Sequence, residues 1–407
     1  MRQGAEDAMT TRNLRHLRLF CAVAELKSLT LTAETWNLSQ PAVTQAINKL
    51  ERETGGLLFE RSRNGFSATS RGEVLLRRVY RAFALLDPVL DAISPRLRVS
   101  LTYAQLQALV AVSESQNFTL AALQLGLAQP TVHRAVTQIE QEAARSLFER
   151  TAFGIIPTRL CQSLSQAARL AVYELDQAEA ELADFDGGEA GSIVIGAMPL
   201  ARSVLLPTAL TRFRQCYKEM AVRVVDGPYP TLLHELRRGN LDLLVGALRE
   251  PAPIGDVRQD ALFNDWLALL CRPDHPLAAR AAIGIDDLLS YPWVVPQAGT
   301  PTRVQFESIF AAAGKTAPLR LIESGSLLLM RGLLLESDHL CCISRIQAKM
   351  EYEKGLLCQL PFATGELARP IGITSRAGWR PTPPQSKLIE ILREVGAHLE
   401  NDYSDRL

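Results

Sequence analysis

Apolar side chains recur every three or four residues through the first half of the chain, the spacing that predicts amphipathic helices. One helix is predicted over 14–24 and a short second helix over 30–36. A third is predicted over 39–53, because Ser39 is a good N-cap and Pro41 falls in the first turn, where its missing N–H needs no partner. The N-terminal segment is therefore expected to fold as three short helices.

The third predicted helix has a polar outer face, and a basic hairpin follows it. The outward side chains are Gln40, Thr44, Gln45 and Asn48. The hairpin is predicted over 57–68, with Arg61 and Arg63 at its tip. This order is typical of a winged helix-turn-helix, in which amides and hydroxyls read base edges and wing arginines hold phosphates. An ordinary solvated surface also has a polar helix face, but the basic hairpin favours DNA.

The same pattern occurs a second time. Residues 13–72 align with 102–161 at a constant offset of 89 and without a gap, and a third of the positions are identical. The phrases SQPAV and LLFER in the first segment return as AQPTV and SLFER in the second. Identity at this level is far above chance and predicts a duplicated domain. We refer to 13–72 as the first copy and to 102–161 as the second copy.

Charge distinguishes the two copies. Residues 1–98 contain 15 lysines and arginines against 10 aspartates and glutamates, whereas 99–186 contain 5 against 10. The first copy sums to +3 and the second to 0. Because affinity for phosphate rises with the number of cationic contacts, the first copy is expected to be the principal DNA reader. The second is then a weaker reader, an extra half-site contact or a dimerisation module.

The stretch LRHLRLFCAVAELKSLTLTAETWNLSQPAVTQAINKLERETGGLLFERSRNGFSAT resembles the winged helix-turn-helix of LysR-type transcriptional regulators, although that family usually has one such domain. The family usually has an arginine where Gln45 stands. In the second copy, His133 and Arg134 replace Thr44 and Gln45, so Arg134 restores that arginine. Ala128 replaces the serine cap.

The resemblance and the outward faces together give a set of expected DNA contacts across both copies. They are Thr30, Ser39, Gln40, Pro41, Thr44, Gln45, Asn48, Arg61, Arg63, His133, Arg134 and Arg150. The domains are expected at 12–70 and 101–160.

Helical linkers are predicted after each copy. The first, 71–98, contains Pro88, which is expected to kink or end the helix. The second, 161–186, has an apolar seam. The seam consists of Leu164, Ala168, Ala171, Leu175, Ala178 and Leu182. Such a seam also suits a helix lying on its own domain, but in LysR-type proteins the helix after the wing forms the dimer contact. The resemblance therefore implies a homodimer or homotetramer.

From residue 190 the pattern changes to alternating strands and helices, which predicts an α/β fold with a parallel sheet. Two lobes are expected, lobe I over about 190–263 and 366–400 and lobe II over about 264–365. They resemble the periplasmic-binding-protein-like effector domain of LysR-type regulators. GAMPLARSVLLP, YPWVVPQAGTP and LLLESDHL look most like its galactose-binding-protein-regulator-like branch, which implies a sugar or small organic acid as effector.

Ligands of such folds bind beyond the carboxyl ends of the strands. The candidates there are Pro199, Arg202, Ser203, Tyr229, Arg249, Thr300, Thr302, Ser324 and Ser326. Each hydroxyl taken singly is equally explained as a helix cap. Arg249 is expected either to pair with a ligand carboxylate or to be solvated.

The composition and the absence of known motifs exclude several classes of function. The sequence has no GxSxG, GxxxxGK[ST], HExxH or CxxC motif, so no enzyme, metal site or cofactor is expected. No apolar run reaches the roughly 18 residues that span a bilayer, and the first residues are polar, so no membrane partner and a cytoplasmic location are expected.

The sequence thus predicts a multidomain protein with two winged helix-turn-helix domains and a two-lobed α/β domain. Its expected function is sequence-specific transcriptional regulation on double-stranded DNA, controlled by a small-molecule effector bound between the lobes. Two alternatives remain. One is a thiol-based redox-sensing regulator that uses Cys341 and Cys342, although these lie in an apolar, strand-like stretch. The other is a solute-binding protein without a role on DNA.

Overall fold

The structure, a computed structural model, describes residues 12–62, 65–152, 154–252, 254–362, 364 and 368–404. The chain divides into two compact units, Met1–Gly191 and Ser192–Leu407. No helix in the part of the chain that the structure describes is long and apolar enough to cross a membrane.

The first copy folds as predicted. Its elements are α1 (Leu14–Leu26), α2 (Leu29–Thr35), α3 (Gln40–Glu53), β1 (Phe59–Ser62) and β2 (Gly65–Ala68). Val43, Ile47 and Leu50 of α3 are buried against α1 and α2, so the opposite face of α3 is left to solvent. Helix α4 (Ser70–Ile93) follows, and then the single turn α5 (Leu97–Ser100).

The second copy repeats this arrangement. Its elements are α6 (Tyr103–Ser115), α7 (Phe118–Leu125), α8 (Gln129–Ala143), β3 (Phe148–Thr151), β4 (Gly154–Pro157) and α9 (Arg159–Phe185). A shared contact supports the duplication. Glu51 accepts a hydrogen bond from the Leu58 N–H at 2.9 Å, and the equivalent Glu140 accepts one from the Leu147 N–H at 2.7 Å. In both copies this carboxylate ties the recognition helix to the start of the wing.

Helix α4 spans most of the predicted linker helix at 71–98. It continues through Pro88 to Ile93, so of the two expectations for Pro88, a kink or an end, the end is wrong. Pro88 lies on the exposed face, where water can reach the carbonyl that loses its N–H donor. On the other face, Leu86 and Leu90 are fully buried and hold the helix in place.

The apolar seam of α9 is buried within the chain, against α4. The two helices run antiparallel, since Arg71 in the first turn of α4 pairs with Asp186 at the end of α9, and Arg81 further along α4 pairs with Glu174. The surface expected from the resemblance to join two chains is therefore covered by a helix of the same chain.

The second unit contains two lobes, each built on a five-stranded sheet. Lobe I has β5 (Ser192–Ala197), α10 (Leu205–Cys216), β6 (Ala221–Asp226), α11 (Tyr229–Arg237), β7 (Leu243–Ala247), β8 (Val257–Asp265), β14 (Arg369–Arg376) and α16 (Pro383–Ser404). Lobe II has β9 (Leu267–Cys271), α12 (Ile285–Leu289), β10 (Trp293–Val295), α13 (Pro301–Ala312), β11 (Leu321–Glu323), α14 (Leu327–Leu335), β12 (Leu340–Ser344), α15 (Lys349–Glu353) and β13 (Cys358–Gln359). The strand order is β6-β5-β7-β14-β8 in lobe I and β11-β10-β12-β9-β13 in lobe II.

The expectation of a purely parallel sheet is wrong in detail. Strand β14 runs antiparallel to both β7 and β8, and β9 runs antiparallel to β12 and β13. The chain enters lobe II at β9 and returns to lobe I at β14. A strand that arrives from the other lobe can enter its sheet in the opposite direction. The predicted fold class is otherwise confirmed.

A buried ion pair lies where the lobes join. Asp265, the last residue of β8, accepts hydrogen bonds from Arg369 at 2.8 Å and from the Ser344 hydroxyl at 3.0 Å. Arg369 begins β14 and Ser344 ends β12, so the contact joins the strand ends of both sheets. The two charged side chains neutralise each other away from water at the junction of the lobes.

Candidate DNA interface and effector cleft

The polar face of α3 is exposed as predicted. Ser39 caps the helix by accepting a hydrogen bond from the Ala42 N–H at 3.4 Å. Gln40, Gln45 and Asn48 are solvent-exposed, as are Pro41 and Thr30. Thr44 is half-buried, and its hydroxyl donates to the Gln40 carbonyl at 3.0 Å. An open groove of about 870 Å³ runs along this face. The groove is lined by Gln40, Pro41, Thr44, Gln45, Asn48, Glu51, Arg52, Gly56 and Leu57.

The wing of the first copy presents a cation beside this face. Arg61 in β1 is exposed, and its guanidinium lies 5.6 Å from the centre of the Phe66 ring. Arg61 makes no ion pair in the described parts of the chain, so its charge is available to a phosphate. Arg63, predicted at the tip of the same wing, lies outside the described residues.

The equivalent face of the second copy is also exposed but has different chemistry. Ala128 offers no side-chain cap to α8. Arg134 is exposed, and His133 packs its ring 5.0 Å from that of Phe118. These residues line a groove of about 580 Å³ along α8. Arg150, the equivalent of Arg61, is exposed in β3. The second copy therefore also presents an exposed helix face, with an exposed arginine on the strand that follows.

Replacing Arg61 with alanine is expected to weaken DNA binding about tenfold or more, because a charge-assisted contact with phosphate is lost. The slope of log affinity against log salt should fall by about 1. The matched variant Arg150→Ala should lose less, since the second copy has no net positive charge to support it. Fluorescence anisotropy across a salt series measures both quantities. Equal losses from the two variants would overturn this ranking.

Lobe I holds an arginine just beyond the end of β7 and a tyrosine just beyond the end of β6, the two strands on either side of β5. The Arg249 guanidinium lies 4.5 Å from the centre of the Tyr229 ring. Burial lowers the pKa of Arg249, and the nearby positive charge of Arg369 lowers it further. Arg249 makes no ion pair with any residue that the structure describes. The Tyr229 hydroxyl is buried and finds no hydrogen-bond partner among the residues described.

A threonine of lobe II reaches the same region. Thr302, near the start of α13, is buried and accepts a hydrogen bond from Arg369. The structure therefore places Arg249 beside Tyr229, and both Arg249 and Thr302 near Arg369, an arginine that was not predicted. Nothing in the sequence around Arg369 distinguishes it from a surface arginine, and its partner Asp265 lies in a strand that was not predicted.

The remaining candidates have local roles. Thr300 caps α13 by accepting from the Arg303 N–H, and Ser326 caps α14 by accepting from the Leu329 N–H. Ser324 accepts from the Ser326 N–H, and exposed Arg202 pairs with Asp226 at 2.9 Å. The structure leaves these four side chains occupied with their own chain. Pro199 opens a short 3₁₀ turn and Ser203 follows it, both half-buried.

The cysteines proposed for redox sensing are fully buried in β12. Burial raises the pKa of Cys342 to about 12, and burial likewise raises that of Cys341. Both thiols are therefore protonated near neutral pH, and the protonated form is a poor nucleophile towards oxidants. Within the described ranges, no group of histidine, cysteine, aspartate or glutamate side chains is placed to hold a metal ion.

Comparison with protein families supports a DNA-binding and an effector-binding part of the chain. Residues 14–73 and 103–162 each match the model of the bacterial regulatory helix-turn-helix protein of the lysR family. Residues 186–397 match the LysR substrate binding domain. The chain belongs to the LysR family of transcriptional regulators. It binds DNA through helix-turn-helix domains and has an effector-binding domain, which confirms the predicted function over a solute-binding protein or a redox sensor.

Individual members of the LysR family are similar over most of this chain. The transcriptional regulator GalR of Pseudomonas putida is 35% identical over 386 residues, covering 94% of this chain and 97% of GalR. PcaQ of Agrobacterium fabrum is 29% identical, covering 73% of this chain and 96% of PcaQ. The alignment with GalR leaves out too few residues to omit either copy of the helix-turn-helix domain. GalR therefore shares the duplication.

A solved structure supports the fold. The full-length CbnR complex with its target DNA covers 72% of this chain and 100% of CbnR, with a TM-score of 0.52 and 16% identity. That similarity concerns the fold alone.

Proposed function

We propose that this LysR-family chain is a cytoplasmic regulator without catalytic activity, and that its effector is a small organic acid that binds through a carboxylate. The observation that carries the proposal is Arg249. Its guanidinium is partly withdrawn from water and makes no ion pair with a described residue. An effector carboxylate supplies the negative charge that no described residue provides to Arg249.

The neighbouring groups suit an anion better than a neutral sugar. Burial raises the pKa of Tyr229, so its hydroxyl stays protonated and can donate a hydrogen bond. Arg249 can donate two parallel hydrogen bonds to a carboxylate, the geometry that a guanidinium favours. A neutral sugar hydroxyl leaves the guanidinium charge uncompensated, which costs free energy in a partly buried site. The resemblance to the galactose-binding-protein-regulator-like branch allows either effector class, and Arg249 favours the acid.

The effector is proposed to control the protein by changing the arrangement of the lobes, because its site lies beside the lobe junction. Arg249 follows β7 of lobe I, and Thr302 on α13 of lobe II contacts Arg369 at the junction. An anion bound at Arg249 interacts differently with open and closed arrangements of the lobes, since the charge of Arg369 and the polar ends of lobe II change distance as they move. A ligand with such a difference in affinity shifts the balance between the two arrangements.

Self-association is part of the proposal. Because α4 covers the seam of α9, two chains are proposed to join through other surfaces as a homodimer or homotetramer. Lobe II offers exposed apolar side chains around its edge strand β11. These are Val304, Leu319, Ile322, Leu328 and Leu329. Exposed apolar side chains of this kind are the surface proposed for the contact between chains.

The effector class is tested by adding small carboxylic acids and neutral sugars to the intact chain and measuring thermal stability and binding heat. An acid is expected to stabilise the protein, and Arg249→Gln should weaken its binding about 10- to 100-fold, as the loss of a charge-assisted hydrogen bond predicts. Arg202→Gln is the matched control, because Arg202 is exposed and already paired with Asp226. Stabilisation by a sugar that Arg249→Gln leaves unchanged would contradict the proposal.

A further inference from the structure

The two copies are joined to each other through equivalent helices. Helices α4 and α9 begin at Ser70 and Arg159, which are 89 residues apart, the offset of the duplication. Their buried faces also correspond. Leu75, Val79, Ala82 and Leu86 of α4 match Leu164, Ala168, Ala171 and Leu175 of α9, and all eight are buried. Equivalent faces packed antiparallel relate the two copies by an approximate two-fold axis, as in a homodimer.

The charges across this contact specify a pair of unlike helices. Arg78 is 3% exposed and pairs with Glu174 at 2.8 Å and with Glu181. Arg71 pairs with Asp186, and Arg81 with Glu174. In these pairs the cations lie on α4, and the anions lie on α9 or directly after its last residue.

The duplication does not repeat these charges. The positions of α9 equivalent to Arg71, Arg78 and Arg81 are Leu160, Ala167 and Leu170. Two α4 helices packed together would leave buried arginines without carboxylates, and two α9 helices would leave carboxylates without arginines. Both arrangements are costly, so the contact selects one α4 and one α9.

The reading faces presented by this pair are unlike. Thr44, Gln45 and Asn48 of the first copy correspond to His133, Arg134 and Thr137 of the second. Both faces are open to solvent and line grooves along α3 and α8. Glutamine suits the donor and acceptor pair of adenine in the major groove, and arginine suits the two acceptors of guanine.

We propose that a single chain reads an asymmetric operator made of two unlike half-sites in inverted orientation, one for each copy. The adenine-containing half-site is read by α3 and the guanine-containing half-site by α8. The approximate two-fold axis gives the inversion, and the unlike side chains give the asymmetry. This inference rests on the proposed DNA-binding role, and it adds the form of the target.

The test is selection of binding sites by the intact protein from random DNA duplexes. The wild-type chain is expected to enrich two different half-sites, inverted and at one fixed spacing. A first variant, Thr44→His with Gln45→Arg and Asn48→Thr, gives α3 the side chains of α8. It should enrich a palindrome of the guanine-containing half-site. The reciprocal variant, His133→Thr with Arg134→Gln and Thr137→Asn, should enrich a palindrome of the other half-site.

The outcomes separate this inference from the DNA-binding role itself. A palindrome or a single half-site enriched by the wild-type chain overturns the asymmetric operator but leaves DNA binding in place. Unlike half-sites that neither variant changes overturn the assignment of the two readers, provided that circular dichroism shows both variants folded. If one variant fails to fold, the reciprocal variant decides. No enrichment by any of the three proteins overturns the DNA-binding role.

Discussion

Replacing Gln40 and Gln45 together with alanine is expected to lower affinity for the operator by roughly 30-fold to 10⁴-fold. Each side chain is exposed on α3, at the groove that a base edge would occupy. One paired contact to a base contributes about 1–3 kcal/mol, so the loss of two is about 2–6 kcal/mol. Anisotropy titrations at one salt concentration, on a site selected by the wild-type protein, measure the change.

The matched variant in the second copy is Gln129→Ala with Arg134→Ala. We expect a smaller loss there, because the first copy has the greater positive charge. Neither double variant should alter thermal stability by much, since all four side chains face solvent. If the second-copy variant abolishes binding and the first-copy variant leaves it within threefold, α8 is the principal reader instead.

Replacing Arg78 with alanine is expected to destabilise the α4–α9 contact by about 3–5 kcal/mol, because Glu174 and Glu181 stay buried without their shared cation. Hydrogen exchange of peptides from α4 and α9, followed through a urea series on the intact chain, reports the free energy of opening of this contact.

Two further variants test whether the loss of stability comes from leaving carboxylates buried without a cation. Arg77→Ala, one position away, removes a cation whose side chain is 56% exposed and lies 3.8 Å from Glu181. Its effect should stay below about 1 kcal/mol. Replacing Arg78, Glu174 and Glu181 together with methionine and two leucines should restore much of the stability, since the buried cation and both buried carboxylates are removed together. Arg81 loses Glu174 in this variant, but its side chain is 26% exposed and can be hydrated. A loss from Arg78→Ala no larger than that from Arg77→Ala would show that the buried ion pair is unimportant.

The N-terminal helices could be predicted from interactions between residues that are close in sequence. Ser39 caps α3 and Val43, Ile47 and Leu50 are buried, because capping and helical spacing depend on residues close in sequence. The partner of the α9 seam could not be predicted in this way. An apolar stripe shows that a helix needs a cover, and the same stripe fits a second chain or another helix of the same chain.

The effector cleft was predictable only in part. Tyr229, Arg249 and Thr302 were predicted because strand ends of an α/β fold converge, and the structure places Arg249 beside Tyr229 and Thr302 beside Arg369. Strand β8 was missed, because polar residues interrupt its alternation, and the pairing of Asp265 with Arg369 was missed with it. The carboxylate and the guanidinium are 104 residues apart, so only the folded chain brings them together. The hydroxyls at 300 and 326 were ambiguous, and the structure uses them as caps.

The contact between α4 and α9 has a consequence for how the protein works when few molecules are present. In an ordinary dimer, the two readers separate when the protein is diluted below its dissociation constant. Here only residues 94–102 lie between the end of α4 and the start of α6, and this short tether keeps the local concentration of one reader around the other near the millimolar range. On the proposal that both copies read DNA, α3 and α8 therefore stay close to each other however dilute the protein is, without a second chain.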